Sequence, residues 1–215
     1  MKKTACIITG GTVCPEFLKE KLKALDAAQI IVVDGALEVT DSLGIKPDFI
    51  VGDFDTVNPE LLLRYPEKII RRHLPEKDQT DTELALETAT ESGCDHVILF
   101  GATGSRLDHS LANIFLLQKM AAKGVDAELC DEQNRLSLRT GSFVIKKEEQ
   151  YGDFVSLLPL TECVENVTLN GLKYSLENHT FFREDSLGIS NEIIAEEATV
   201  TFSAGMFLVV ESKDK

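Results

Sequence analysis

The chain has 215 residues, 43% hydrophobic and 27% charged, enough apolar material for one sizeable or two small globular domains and unlike a disordered or fibrous chain. A formal net charge of -14 repels nucleic-acid phosphates over the whole surface, and no Lys/Arg cluster interleaved with aromatics offsets it, which excludes nucleic acid as a partner. Five cysteines without Cys-x-x-Cys spacing exclude a disulfide framework and a zinc site, and no apolar run approaches a membrane span, so a soluble, cytoplasmic protein with reduced thiols is expected.

Taken in chain order, the apolar run Thr4 to Thr9 reads as a strand and not as a signal segment, because Gly10-Gly11 breaks it and no cleavage pattern follows. A helical pattern over Glu16 to Leu25 comes next, then a strand at Ile30 to Val33, a helix at Leu37 to Leu43 and a strand at Phe49 to Val51. The alternation continues through a strand near Ile69-Ile70, a helix from about Asp81 to Ser92, the strand His96 to Phe100, a long helix ending near Gly124, and a strand at Ala127 to Cys130. Such alternation predicts a parallel sheet covered by helices, an α/β domain over residues 1–132. The polar stretch Asp131 to Asn134 marks its end. Beyond it, Phe143 to Ile145, Phe154 to Leu158, Val164 to Leu169, Thr199 to Phe202 and Met206 to Val210 form short runs separated by Gly, Asn and Pro. They predict a smaller antiparallel β domain over residues 133–215.

In an open parallel sheet, ligands bind beyond the carboxyl ends of the strands. Here each of those turns is polar. Asp34-Gly35 follows Ile30 to Val33, and Gly52-Asp53-Phe54-Asp55-Thr56 follows Phe49 to Val51. Lys77-Asp78-Gln79-Thr80-Asp81 follows Ile69-Ile70, and Gly101-Ala102-Thr103-Gly104-Ser105-Arg106-Leu107-Asp108-His109 follows His96 to Phe100. Brought together, these carboxylates would raise one another's pKa unless a cation neutralised them, and a hard, oxygen-seeking ion such as magnesium suits them. Asp53 and Asp55, two apart in an extended segment, are expected to project to one side. Asp34-Gly35 alone reads first as turn chemistry. Asp78 and Asp81 also fit a helix N-terminus, with Thr80 as N-cap and Glu83 completing a capping box. Gly101 to Arg106 joins a strand to a helix, so its N–H groups and the Arg106 fork can face an anion, whereas His109 is as suited to capping or packing.

Several nucleotide and metal motifs are absent. Neither Gly10-Gly11 nor Gly101 to Arg106 makes a Walker loop, and the dinucleotide glycine pattern is missing. A calcium loop starting at Asp53 fails, with Asn58 where Gly is needed and Arg64 where Glu is needed. Asp53-Phe54-Asp55-Thr56-Val57 does resemble the nucleophile motif of haloacid-dehalogenase-type phosphatases, in which Asp53 would attack phosphorus and Asp55 would act as acid/base. That family, however, carries the motif after its first strand and a later acidic pair where this chain has Gly101-Ala102-Thr103-Gly104. A nucleotide-binding regulator without turnover is a third reading.

Taken together, Asp34-Gly35, Pro47-Asp48 leading to Gly52 through Thr56, Lys77 to Asp81 and Gly101 to His109 resemble the thiamine pyrophosphokinase family. So do Gly171-Leu172-Lys173-Tyr174 and Gly188-Ile189-Ser190-Asn191-Glu192, and the likeness spans nearly the whole chain. Two positions depart from the family pattern: Ala36 where a second glycine is usual, and Thr56 where Ser is usual. The resemblance implies an α/β domain holding ATP and Mg2+, a β-sandwich domain, and a homodimer with thiamine sites between the α/β domain of one subunit and the β domain of the other. It further implies that the thiamine hydroxyl attacks the β-phosphorus of ATP and AMP leaves. On this reading Asp53, Asp55 and Asp81 bind magnesium and, with Arg106, carry catalysis. Asp34, Gly35, Lys77, Gly101, Thr103, Gly104, Arg106, Asp108 and His109 bind the nucleotide, and Asp78, Ser190 and Asn191 contact thiamine. Tyr174 and Phe182 are aromatics able to stack on a cationic thiazolium or to pack in the core.

Overall fold

Six apolar runs form strands β1 (Thr4–Ile8), β2 (Gln29–Val33), β3 (Phe49–Gly52), β4 (Ile70–Arg72), β5 (His96–Phe100) and β6 (Asp126–Cys130). All their pairings are parallel, in the order β4-β3-β2-β1-β5-β6. Ile7, Ile31, Ile50 and Leu99 are completely buried, as expected where crossover helices cover both faces of a parallel sheet. The helices are α1 (Pro15–Ala24), α2 (Ala36–Ser42), the short α3 (Pro59–Leu62), α4 (Asp81–Glu91) and α5 (Leu107–Ala122). Local signals set their starts: Pro15 and Glu16 open α1, Asn58 caps α3 by accepting from the Glu60 N–H, and Thr80 caps α4.

The register decides where the loops emerge. Ile8 lies beside both Val32 and Phe100, and Val33 beside Val51, so the segments that follow β1, β2, β3 and β5 leave the sheet side by side. The chain runs outward from β1 to β4 and then returns to place β5 on the other side of β1. The crevice at that reversal is where open α/β sheets bind ligands.

The computed structural model describes residues 2–25, 28–55, 57–73 and 78–214. Its contacts divide the chain into Met1–Glu132 and Gln133–Lys215. The second unit is antiparallel throughout. Strand β13 (Phe207–Ser212) pairs with β7 (Asn134–Arg139) and with β9 (Phe154–Pro159). A separate four-stranded sheet runs β11 (Leu176–Phe182), β10 (Cys163–Asn170), β12 (Glu197–Thr201), β8 (Phe143–Lys146). Both groups feed one core, in which Val155, Leu157, Val164, Phe181, Val200 and Phe207 are buried together. The Phe207 ring meets Phe181 and Phe202 edge-on at 5.4 Å each. This is the expected β-sandwich architecture.

Three elements go beyond the sequence expectation, one of them β7, which begins at Asn134, the last residue of the polar stretch that marks the end of the first domain. Strand β11 reads Leu-Glu-Asn-His-Thr-Phe-Phe with mostly exposed positions, and its register with β10 shifts twice, so no period of two marks it. Helix α3 is a single turn, too short for periodicity. Among the described residues, no helix is long and apolar enough to cross a membrane.

Candidate active site

A cavity of about 550 Å3 opens at the reversal point between β1 and β5, within the roughly 300–1,000 Å3 usual for small-molecule sites. Its wall is built from the segments after the strands: Thr9 to Gly11 after β1, Asp34-Gly35 after β2, Asp53 after β3, Gln79 to Thr82 at the start of α4, and Gly101 to Arg106 after β5. His109, Ser110 and Asn113 of α5 complete it. The post-β1 segment was absent from the sequence-derived site. A glycine pair directly following the first strand was its signal.

The loops after β1 and β5 are zipped together. Gly11 donates its N–H to the Gly101 carbonyl at 2.9 Å and Thr12 donates to the Thr103 carbonyl at 2.8 Å. The Thr9 hydroxyl donates to Gly101 as well, at 2.5 Å. A Cβ on Gly11 would overlap the carbonyl oxygens of both Gly101 and Thr103, and Gly101 sits at φ 65, so this approach needs glycine on both sides. Asn113 donates to the Ala102 carbonyl at 2.8 Å and the Thr103 hydroxyl donates to Asp131 at 2.9 Å. Carbonyl oxygens that would repel an anion are thereby engaged by the protein itself.

Asp34 and Asp53 of the cavity wall, together with the neighbouring Asp55, each present a carboxylate oxygen, all within 4.8 Å of one another. The pairing of Asp53 and Asp55 does not come from extended backbone. Phe54 turns the chain at φ 62, and Asp55 donates its N–H to the Asp53 carboxylate at 3.2 Å. The Phe54 ring is buried, with the Arg72 guanidinium 5.3 Å above it. Asp34 is held at φ 30. Left-handed backbone at two non-glycine residues is strain of a kind that collects at functional sites. The Asp53 charge, with desolvation and the charges of Asp34 and Asp81 behind it, raises the Asp55 pKa. A cation among these oxygens would reverse that shift, and a donor set made only of carboxylate oxygen fits magnesium.

Asp81 stands outside this trio and reaches the cavity from the first turn of α4. Asp34 takes the third position because β2 and β3 are adjacent parallel strands, which sets it beside the Gly52-Asp53 turn. Arg106 was expected to fork onto phosphate, but its guanidinium grips Asp108 at 3.2 Å and 2.5 Å. That grip holds the Asp108 pKa down at about 2. Gly35, Gly104 and His109 line the cavity, whereas Asp78 is exposed and outside its lining. Lys77 and Thr56 lie outside the described residues.

In the second unit, Ser190 is exposed at φ 56 and donates its N–H to the Ser156 hydroxyl at 3.0 Å. Asn191 is buried and serves the fold. Its side-chain oxygen accepts from the Tyr174 and Glu192 N–H groups at 2.9 and 3.0 Å, and its NH2 donates to the Tyr174 carbonyl at 2.8 Å. This bracing leaves Tyr174 exposed, and Phe182 is exposed as well.

Comparison with known proteins finds two matched family domains in chain order. The family model described as thiamin pyrophosphokinase, catalytic domain, matches residues 22–129, and that described as thiamin pyrophosphokinase, vitamin B1 binding domain, matches residues 142–207. The thiamine pyrophosphokinase of Bacillus subtilis (strain 168) is 36% identical over 218 residues, covering 99% of this chain and 100% of that protein. A crystal structure of thiamine pyrophosphokinase from Bacillus subtilis matches with a TM-score of 0.87 at 31% identity, covering 99% of this chain and 100% of that one. One from Geobacillus thermodenitrificans matches with a TM-score of 0.84 at 31% identity, covering 99% and 98%. With both domain models matched in chain order and a relative aligned from end to end, the chain belongs to the thiamine pyrophosphokinase family.

Proposed function

We propose that this protein transfers the pyrophosphoryl group of ATP to the hydroxyl of thiamine, giving thiamine diphosphate and AMP in a magnesium-dependent reaction. The observation that carries the reading is the trio Asp34, Asp53 and Asp55, two of which line a glycine-rich cavity, in a chain of this family. The zipped loops at Gly11 and Gly101 offer a close, carbonyl-poor approach for phosphates at the start of α5. Asp34, Asp53 and Asp55 would hold magnesium, with Asp81 in support. Bound there, the ion neutralises charge on the phosphates, which is the main demand of phosphoryl-type transfer. Arg106, oriented by Asp108, and Lys77 add positive charge to the nucleotide site. The second unit contributes thiamine recognition, with exposed Ser190 and Tyr174 as its contact residues and Asn191 bracing Tyr174.

The phosphatase reading of Asp53 is not favoured, because the turn after β5 supplies glycines and Thr103 where that chemistry needs an acidic pair. We further propose a homodimer. Leu107, Leu111 and Phe115, one turn apart along α5, are all exposed, a surface that association would cover. None of the five cysteines is in a disulfide, in keeping with a reducing cytoplasm.

Incubation with ATP, magnesium and thiamine should yield AMP and thiamine diphosphate in equal amounts, and chelation of magnesium should stop both. Phosphate release without thiamine would instead indicate the phosphatase. Nucleotide binding without products would indicate a regulator.

A further inference from the structure

Gln79 lines the cavity just ahead of α4, and its side-chain orientation is fixed from outside the site. Its amide nitrogen lies 2.9 Å from Glu87 and 3.3 Å from Glu83. Ionised carboxylates only accept hydrogen bonds, so the amide can face them only with its NH2 group. The Gln79 carbonyl oxygen is therefore the end left for a ligand.

Glu83 and Glu87 stand one helical turn apart, a spacing at which like charges repel. Lys119 of α5 bridges them, pairing with Glu83 and lying 3.2 Å from Glu87, with Lys123 at 3.8 Å from Glu87. The capping box expected at this helix start is only half made. Thr80 accepts from the Glu83 N–H at 3.3 Å, while the Glu83 carboxylate turns to Gln79 and Lys119. Burial raises the Glu87 pKa, but the Gln79 amide and the Lys119 ammonium outweigh it and hold the carboxyl below its ordinary range. Both carboxylates thus face the Gln79 amide, and Glu87 is held in its charged form.

We propose that Gln79 contacts the nucleotide as a hydrogen-bond acceptor, and that Lys119, acting through Glu83 and Glu87, is the positioning residue that sets this polarity. The inference rests on the nucleotide-site reading above. The matching ligand group is a neutral donor on the nucleotide, either a sugar hydroxyl or the amino group of the base.

The test is titration calorimetry with magnesium and a non-hydrolysable ATP analogue, without thiamine, alongside steady-state kinetics. Gln79→Leu should weaken binding about 5- to 10-fold, the worth of one hydrogen bond, raising the KM for ATP with kcat little changed. Lys119→Met should do the same, and Lys119→Arg should restore binding. Because Lys119 acts through Gln79, adding Lys119→Met to Gln79→Leu should cost nothing further. Loss of discrimination against the 2′-deoxy analogue in Gln79→Leu would identify a sugar donor, and loss against the inosine analogue a base donor. Unchanged affinity in Gln79→Leu, or additive losses in the double variant, would overturn the proposal. If Lys119→Met does not fold, Glu87→Gln replaces it in the cycle with the same expectation. Wild-type protein that binds the analogue with this mutational pattern but makes no thiamine diphosphate would refute the assigned reaction and leave this inference standing.

Discussion

Asp53 and Asp55 act as a pair because Phe54 between them adopts a left-handed conformation and buries its ring. The turn then offers both carboxylates to the same space as Asp34. Removing one charge from this trio relieves repulsion in the empty protein, so folding should not suffer, whereas metal binding and the chemistry that depends on it should. Asp53→Asn and Asp55→Asn are each expected to lower turnover on the order of 100-fold or more. Asp34→Asn should behave alike, since it belongs to the same trio. Thermal melts should stay within a few degrees of wild type, and the apparent magnesium affinity should fall in all three. Near-normal turnover at saturating magnesium in any two of them would remove the trio from the metal site. The acidic turn itself was readable in sequence, because strand-end aspartates stand out against apolar runs. The manner of pairing was not. Nothing in the letters Asp-Phe-Asp announces a left-handed phenylalanine, a conformation usually left to glycine, asparagine or aspartate. Asn191 shows the same limit, since its partners are backbone groups brought by a separate turn at Tyr174.

At the scale of elements, the site depends on two loops meeting at carbonyl distance, which a methyl group at Gly11 would prevent. Gly11→Ala should force the segments after β1 and β5 apart, at about 1–3 kcal/mol of stability, as overpacking does elsewhere. A raised KM for ATP should accompany it. Gly35 supplies the control. It sits in ordinary helical backbone at φ -58, with nothing near an added Cβ, so Gly35→Ala should melt at the wild-type temperature. Equal melting temperatures for Gly11→Ala and wild type would show that the loops part freely and carry no such constraint. The parallel sheet was legible because its strands are buried on both faces and read as unbroken apolar runs. Strand β11 was not, since its polar residues face solvent and its place is set by pairing with β10. The Gly10-Gly11 turn fits no phosphate-loop motif, so its letters alone assign it no role. Its importance comes from the reversal of strand order at β1 and β5, which only the assembled sheet reveals.

For the whole molecule, the dominant physical fact is a net charge of -14 on 215 residues. Association of two such chains is opposed by their mutual repulsion, and apolar surface such as the Leu107, Leu111 and Phe115 row must outweigh it. Repulsion between exposed charges reaches ~8 Å at 0.15 M ionic strength but ~30 Å at 0.01 M. The proposed dimer should therefore be tighter in salt, the reverse of an assembly held by attraction between opposite charges. Sedimentation velocity at 0.15 M salt and micromolar protein should give twice the chain mass of 23.7 kDa. Lowering the salt to 0.01 M should shift the distribution toward single chains. If turnover belongs to the dimer, activity per chain should fall with dilution in low salt and recover on adding neutral salt, while nucleotide binding by individual chains persists. A single species at the mass of one chain, fully active with thiamine at 0.15 M salt, would rule the dimer out as the working form.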